Sequence, residues 1–488
     1  MPHLQGLTTA RFILLLACLL APPGPAWAYG EAEVDYVNVR DYGAVGDGQT
    51  DDTQSIQDAI DAAEAAIVTS VRRHVYFPPG VYRVTDALVN PTGTPRQTGV
   101  LTLRASGMAL FSGGAHDALD SAQAVIRLDS VAKLGAPMID MGGHIQGIQG
   151  LVLQGPGKLS SQVAIRFKKL NPNTDDVDGT VTSTKISQFG TAVQIIGRGL
   201  RFRDNKLASC THGVDVSWPD CRGECIGNQG PEHGLRAFQI QDNRAHNVSI
   251  FMLNEGINAH NLKGLVFSGN QSDLGNRLFQ GGAQQSSFTG NVVVNTKYPA
   301  FDFTYPARRI TISGNTIAGK AGWPDTDISE PSATDPEPEK VPLSEDQPAF
   351  GIRCQKDCEY MAITGNAFSY INASAIRFEG PTKFVTITGN TFSEVVNETM
   401  ALEDDAGIYF AQKSWRISIV GNAFFMNQSD FDDENTSRSG NLFAIRAPKV
   451  LEYSHVQANT VSHDMAGVIP AADYANSSVQ PPLFGEIE

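Results

Sequence analysis

A short phrase recurs along this chain and leaves it few folds to choose from. Val266-Phe-Ser-Gly-Asn270 is followed by Phe288-Thr-Gly-Asn291 and Ile310-Thr-Ile-Ser-Gly-Asn315. Then come Ile363-Thr-Gly-Asn366, Val385-Thr-Ile-Thr-Gly-Asn390 and Ile417-Ser-Ile-Val-Gly-Asn422. Successive Asn residues stand 21, 24, 51, 24 and 32 positions apart. A period in the low twenties, stretched where loops are inserted, is the signature of a solenoid. The phrases alternate with period two, so the repeating unit is β rather than α. Hairpins of an ordinary sandwich would not hold so regular a spacing. Gly and Asn suit a sharp corner because both tolerate the left-handed region. A recurring Asn can also hydrogen-bond to its counterpart on the next coil. Phe202-Arg-Asp-Asn205 and Ile240-Gln-Asp-Asn243 fit the template less cleanly.

The 488 residues would suggest about three domains by length alone, but a solenoid grows in one dimension and one long domain is expected. With 41% hydrophobic and 18% charged residues the chain can bury a continuous core. Its start reads as a signal peptide over residues 1–28. Arg11 precedes the apolar run Phe12–Leu20, and Ala26-Trp27-Ala28 offers small residues for cleavage. Later apolar runs are too short to be membrane helices, so a secreted chain with no membrane contact after cleavage is expected. The formal charge of −15 argues against nucleic acid, whose phosphates demand basic patches. Residues 29–472 read as the solenoid domain and 473–488 as a polar tail that trails off or packs along the last coil. Asn171–Thr180 reads as a loop, and 319–348, rich in Pro and acid, as a long insertion.

Five cysteines remain after the leader: Cys210, Cys221, Cys225, Cys354 and Cys358. In an exported chain close pairs read as disulfides. Cys354–Cys358 is one expected bridge, with Cys221–Cys225 or Cys210–Cys221 the second. Zinc finds no Cys-x-x-Cys and no His at ligand spacing.

Residues 35–84 carry the second strong signal. A strand and a Gly-rich turn, Asp41-Tyr-Gly-Ala-Val-Gly-Asp-Gly-Gln-Thr-Asp-Asp-Thr53, open a helix in which Ile56, Ala59, Ile60 and Ala63 recur at helical spacing. His74–Val84 then reads as strand, Pro-Gly turn, strand. This segment resembles the N-terminal signature of the pectate lyase-like superfamily, shared by polysaccharide lyases, rhamnogalacturonases, uronate epimerases and phage tailspikes. The resemblance implies a right-handed parallel β-helix, an all-β solenoid whose open end is covered by the helix at Thr53–Ala66. An exposed solenoid end needs such a cap. Asp47, Asp51 and Asp52 read as structural residues of the turn and cap, with a bound Ca²⁺ as the alternative.

Each Gly-Asn corner is followed by a brief strand, a loop and a second alternating strand. The residues these returning strands point outward are Arg166, Gln194, Asp215, Asp302, Arg353, Arg377 with Glu379, and Tyr409, and they should form one stripe. Catalytic sites of the superfamily typically lie on such a face. Hydrolysis would use Asp302 and Glu379, whose backbones would lie roughly 11–12 Å apart. β-Elimination or epimerisation of an anionic polysaccharide would use Arg353 and Arg377 to neutralise a uronate carboxylate, with a base for the C5 proton. The bland alternative pairs the arginines with Asp302 and Glu379 in a surface ion ladder. Asp215 and Tyr409 are candidate substrate-binding residues. A third titratable cluster comprises Glu232, His233, Arg236, Asp242, Arg244, His246, Glu255 and His260. The Asn-x-Asp, Asp-Asp and Gly-His-Gly set of polygalacturonases is not visible, nor is the Asp-Pro-His motif of alginate epimerases. A polysaccharide-cleaving enzyme is therefore expected, set against a non-catalytic glycan-binding or surface solenoid with Tyr305 and Tyr409 as platforms.

Overall fold

The computed structural model describes residues 36–65, 73–89, 101–105, 123–129, 137–142, 146–168, 176–216, 237–255, 262–275, 277–296, 298–319, 350–371, 373–395, 406–425, 443–449 and 451–461, with short strands at 474–475, 478–479 and 483–484. The leader, most of the acidic insertion, Cys221, Cys225, Glu232, His233, Arg236 and His260 lie outside the described residues.

The chain is a parallel β-helix. A typical coil starts with a seven-residue strand such as Ala307–Ser313, turns at Gly314-Asn315, runs through Thr316–Gly319 and returns along Ile352–Cys354. The next coil repeats the pattern one strand spacing along the axis, with Cys358–Thr364, Ala367–Ile371 and Ile376–Phe378 in parallel register. We call these the first, second and third faces. The first face is a 17-stranded sheet. The second and third merge into a 25-stranded sheet, because Lys206–Asp215 and Arg244–Asn254 turn the corner between them without a break.

Inward residues stack on like residues. Phe368, Phe392 and Phe424 lie face to face with centroids 5.0 and 4.5 Å apart, close to the ~4.8 Å strand repeat. At the corners the two expected residues divide the work. Gly269, Gly290, Gly314, Gly365, Gly389 and Gly421 take left-handed φ of 62–67°. The Asn that follows each is buried and joins a ladder running from Asn205 to Asn459. Asn315 shows the unit: its Oδ1 accepts from the backbone N and Nδ2 of Asn291, and its Nδ2 donates to Asn366 Oδ1 and Phe288 O. Every polar atom of the side chain is satisfied, as burial requires. Asn205 and Asn243 join the same ladder, with Asp204 and Asp242 in the left-handed position that Gly fills elsewhere.

The cap helix spans Thr53–Ala65 and buries Ile56, Ala59, Ile60 and Ala63 over the first coil. Burying each Ile contributes about 1.5–3 kcal/mol. Its entry turn is held by carboxylates. Asp52 accepts from Val45 N and Gly46 N, Asp47 from Gln49 N and Thr50 N, and Asp51 from Thr53 and Thr85. These oxygens face backbone and hydroxyl donors, in keeping with a structural role.

Two expectations need correction. Cys354 and Cys358 are buried free thiols, as is Cys210. They occupy core positions, Cys354 in register between Phe303 and Phe378, and Cys358 between Ala307 and Thr382. There a thiol serves as a small apolar side chain. Asp176–Thr182, taken as the end of a loop, is a first-face strand that seats Val181 in the core. Its Gly179 is required by contact, since a Cβ would meet the Phe167 ring at 3.0 Å. In the tail, Tyr474–Ala475, Ser478–Val479 and Leu483–Phe484 pair in parallel with the preceding coil.

Candidate functional site

The third-face registers align one residue per coil into the column Asp140, Arg166, Gln194, Asp215, Leu253, Gln280, Asp302, Arg353, Arg377, Tyr409 and Arg446. The alternation of the returning strands therefore locates the stripe. Asp140, Leu253, Gln280 and Arg446 were not among the expected members. Arg277-Leu-Phe-Gln-Gly281 follows the Gly269-Asn270 corner closely, but two adjacent apolar residues, Leu278 and Phe279, break its alternation.

The stripe faces away from the core yet is largely shielded from water. Asp302 is 1% exposed, Tyr409 3% and Arg377 9%. Asp302 is the hub. Its Oδ1 accepts from Arg353 Nε and Gln355 Nε2, both at 3.0 Å. Its Oδ2 accepts from Arg353 Nη2 at 2.9 Å, and Arg277 Nε lies 3.3 Å away. Oδ1 thus holds two hydrogen bonds and Oδ2 one, with the Arg277 guanidinium close beside it, so the carboxylate is committed to its donors rather than open for acid or base work. It positions guanidiniums instead. One coil further, Arg377 Nε meets Glu379 Oε1 at 3.3 Å. The guanidinium of Arg377 lies 4.4 Å from the Tyr409 ring and 5.3 Å from Phe350. Tyr409 is thus a floor for Arg377, which corrects the reading of it as an open sugar platform. The anticipated ion pairs form, with the Arg353–Asp302 rung largely covered and Glu379 reaching the surface.

Asp215 lies three coils from Asp302 in this register, roughly 14 Å along the axis. It does not join the Asp302 cluster. It lies near His212, whose pKa burial lowers while Asp215 and Glu255 pull it back up. Of the third expected cluster, the described members divide: Glu255 receives Gln280 Nε2 beside the stripe, whereas His246 stands on the second face, 3.6 Å from Asp273.

Sequence reasoning missed Arg277. It stands in register below His212 and Ile250, and its guanidinium packs 4.5 Å over Tyr298. Burial lowers its pKa, with Asp302 opposing the shift. Three buried polar atoms here make no hydrogen bond: Arg277 Nε, Gln280 Oε1 and Thr304 Oγ1. All belong to the coils around Asp302, with Gln280 its register neighbour and Thr304 two residues beyond it. Buried polar atoms are rarely left unsatisfied. A cluster holding spare donor and acceptor capacity, with three arginines, suits an anionic polar ligand. Among the described residues no three His, Cys, Asp or Glu side chains converge as metal ligands.

The cap and coils form a parallel β-helix, and partial matches at both ends of the chain support the pectate lyase-like superfamily, a class set by fold rather than by reaction. Residues 36–113 match the family described as rhamnogalacturonase A/epimerase, pectate lyase-like. Residues 344–468 match the periplasmic copper-binding protein family NosD. The chain is 38% identical over 150 residues to mannuronan C5-epimerase AlgE6 of Azotobacter vinelandii, covering 30% of this chain and 14% of that protein. It is 29% identical over 144 residues to alginate lyase 7 of the same organism, covering 30% and 13%. Both matches thus span a small part of the relatives' own length. Gene product 12 of bacteriophage phi29 shares the fold, with a TM-score of 0.52 at 11% identity over 93% of this chain and 54% of that one.

Proposed function

We propose that this protein is exported and acts on a uronate-containing polysaccharide by removing the C5 proton. The convergence of Arg277, Arg353 and Arg377 around hydrogen-bonding atoms without partners carries this reading. The C5 proton of a uronate is acidified when cations hold the adjacent carboxylate, because the electron pair of the broken C–H bond spreads into that group. Arg353 and Arg377, on adjacent coils, are the carboxylate ligands, and Asp302 keeps the Arg353 fork in its plane. Glu379 is the proton acceptor. Its side chain is 34% exposed, the most open carboxylate of the cluster. Once the proton is on Glu379, the pair collapses in one of two ways. Expelling the C4 glycosidic oxygen, which takes up a proton, leaves a C4=C5 double bond, whereas reprotonation from the other face inverts C5. The similarity to a mannuronan C5-epimerase and an alginate lyase supports this shared first step.

Hydrolysis by an Asp302–Glu379 pair fits less well, because both Asp302 oxygens already accept hydrogen bonds from Arg353 and Gln355. The same commitment favours the second reading, a glycan-binding solenoid without turnover. The purified chain should be incubated with polymannuronate, polygalacturonate and a neutral glucan, reading ultraviolet absorbance of unsaturated uronate alongside new reducing ends. Absorbance rising with reducing ends, and lost in Arg377→Ala, supports elimination. Reducing ends without absorbance would return the hydrolytic reading. Retention on an immobilised polyuronate with no chemistry would favour binding.

A further inference from the structure

A second polar cleft lies at the other end of the solenoid, on the second face. It has a volume of about 250 Å³ and is lined by Arg83, Arg127, Leu128, Asp129, Gln154 and Pro156, together with Gly155. That is the volume of about eight water molecules, enough for one pyranose ring. Arg83, Arg127 and Gln154 are in register on three successive coils. Eight coils, roughly 38 Å, separate this level from Arg377.

The two arginines differ in how they are held. Arg83 is spent: its Nε and Nη2 donate to Asp129 Oδ2 at 2.9 and 2.6 Å, and its Nη1 donates to Gln49 O. Arg127 donates through Nη2 to Gly48 O. That carbonyl is neutral, and no carboxylate pairs with Arg127 among the described residues. The nearby acids are committed elsewhere: Asp47, Asp51 and Asp52 are held by the donors of the cap turn. A guanidinium carries five N–H donors, so Arg127 keeps most of its fork for a ligand. Gln154 Nε2 makes one long contact to Gln188 at 3.4 Å and stands one coil away. The floor is bare by necessity, because a Cβ at Gly155 would strike Gln188 O at 2.2 Å. Exposed Pro156 forms an apolar rim. An uncompensated cation, an amide and a small apolar wall around a ring-sized space match a sugar that bears an oxyanion.

We infer that this cleft is a separate binding site for one carboxylate-bearing sugar unit, gripped by Arg127. The ligand's class rests on the uronate reading above, but the site does not use the Asp302 cluster. The test is ligand-observed NMR titration of the full chain with methyl glucuronoside, using methyl glucoside and inorganic sulfate as controls. Arg127→Gln keeps a donor for Gly48 O while removing the charge, and Arg127→Lys restores charge without the fork. The Arg127→Gln chain should bind the glucuronoside at least about tenfold more weakly, with Arg127→Lys intermediate. Arg377→Ala should leave this binding unchanged, whether or not polysaccharide is turned over, which separates the two proposals. Equal binding of methyl glucoside would overturn the inference. So would full affinity in a folded Arg127→Gln chain, or loss of binding in Arg377→Ala alone. Sulfate competing as well as the glucuronoside would mark an oxyanion contact without a sugar site.

Discussion

Two columns run along this solenoid, and each takes one residue from every coil it crosses. The corner column repeats Asn from Asn205 to Asn459, each buried and each with its hydrogen bonds met by its neighbours. The third-face column never repeats for long, passing from Asp140 through Gln280, Asp302, Arg353 and Arg377 to Tyr409. Uniformity is what a ladder needs, because identical donors and acceptors at one strand spacing satisfy one another. Variation is what a site needs, since a ligand presents different groups along its length. Gln280 of that column keeps a buried oxygen without a hydrogen bond, and Arg277 Nε and Thr304 Oγ1 on the neighbouring positions do likewise.

The comparison can be broken by exchanging what each column does. The largest effect is expected at Asp302. Asp302→Ala leaves Arg353 and Arg277 buried without their carboxylate and should cost about 3–5 kcal/mol of stability, read by denaturant unfolding, as well as any turnover. Asp302→Asn keeps the volume and some acceptors and should cost less. A loss below about 1 kcal/mol for Asp302→Ala would show that the hub does not hold the arginines. Next is the ladder itself. Asn315→Ala removes the acceptor of Asn291 N and Nδ2 and the donor to Asn366 Oδ1 and Phe288 O, and should cost about 2–4 kcal/mol with no direct effect on the third face. An equal loss of activity at fixed folded fraction would join the two columns that we separate.

Gly314→Ala is milder. A Cβ there meets nothing within 4 Å, so only the left-handed φ of 62° opposes it, at about 1–2 kcal/mol. Gly314→Asp should be better tolerated, because Asp204 and Asp242 already occupy this position. If Asp proved worse than Ala, the corner would be governed by something other than backbone conformation.

The smallest effects are those of pH. His212 has a folded pKa below its unfolded value of about 6.5, so its contribution to stability is present above that value and lost as pH falls. The Cys210 thiol is pushed up by burial to about 11 from 9.0, so its contribution is lost as pH rises through that window. Asp140 would be raised by burial, yet hydrogen bonds and charge from Arg166 and Lys168 hold it low. Its contribution is lost below about pH 3.9. Unfolding across pH should show this fall on both sides. A flat profile in the His212→Gln chain between pH 5 and 7, beside a falling one in the parent, would assign the middle step.

Much of the fold was legible because its determinants are local and repeated. Gly-Asn spacing gave the corners, alternation gave the strands, and the cap motif gave the helix within one residue of its end. The outward stripe followed from alternation alone. What sequence could not show was depth. Asp302 and Tyr409 alternate like exposed residues but are covered, and burial turns a possible acid into a positioning group and a possible platform into a floor. Arg277 escaped notice because Leu278 and Phe279, side by side, break the alternation from which the returning strands are read. The free state of Cys354 and Cys358 escaped because cysteine spacing carries no record of which way a side chain faces.

The central claim concerns one bond, the C5–H of a uronate at the Arg353–Arg377–Glu379 cluster. It is tested most directly by proton NMR of polymannuronate and polygalacturonate incubated with the protein in deuterium oxide. The account predicts loss of the H5 resonance in one polymer, either by deuterium entering at C5 or by a vinylic H4 signal appearing, and no loss with Arg377→Ala. New reducing ends with H5 intact would contradict it, as would an unchanged spectrum of a polymer that the protein demonstrably binds.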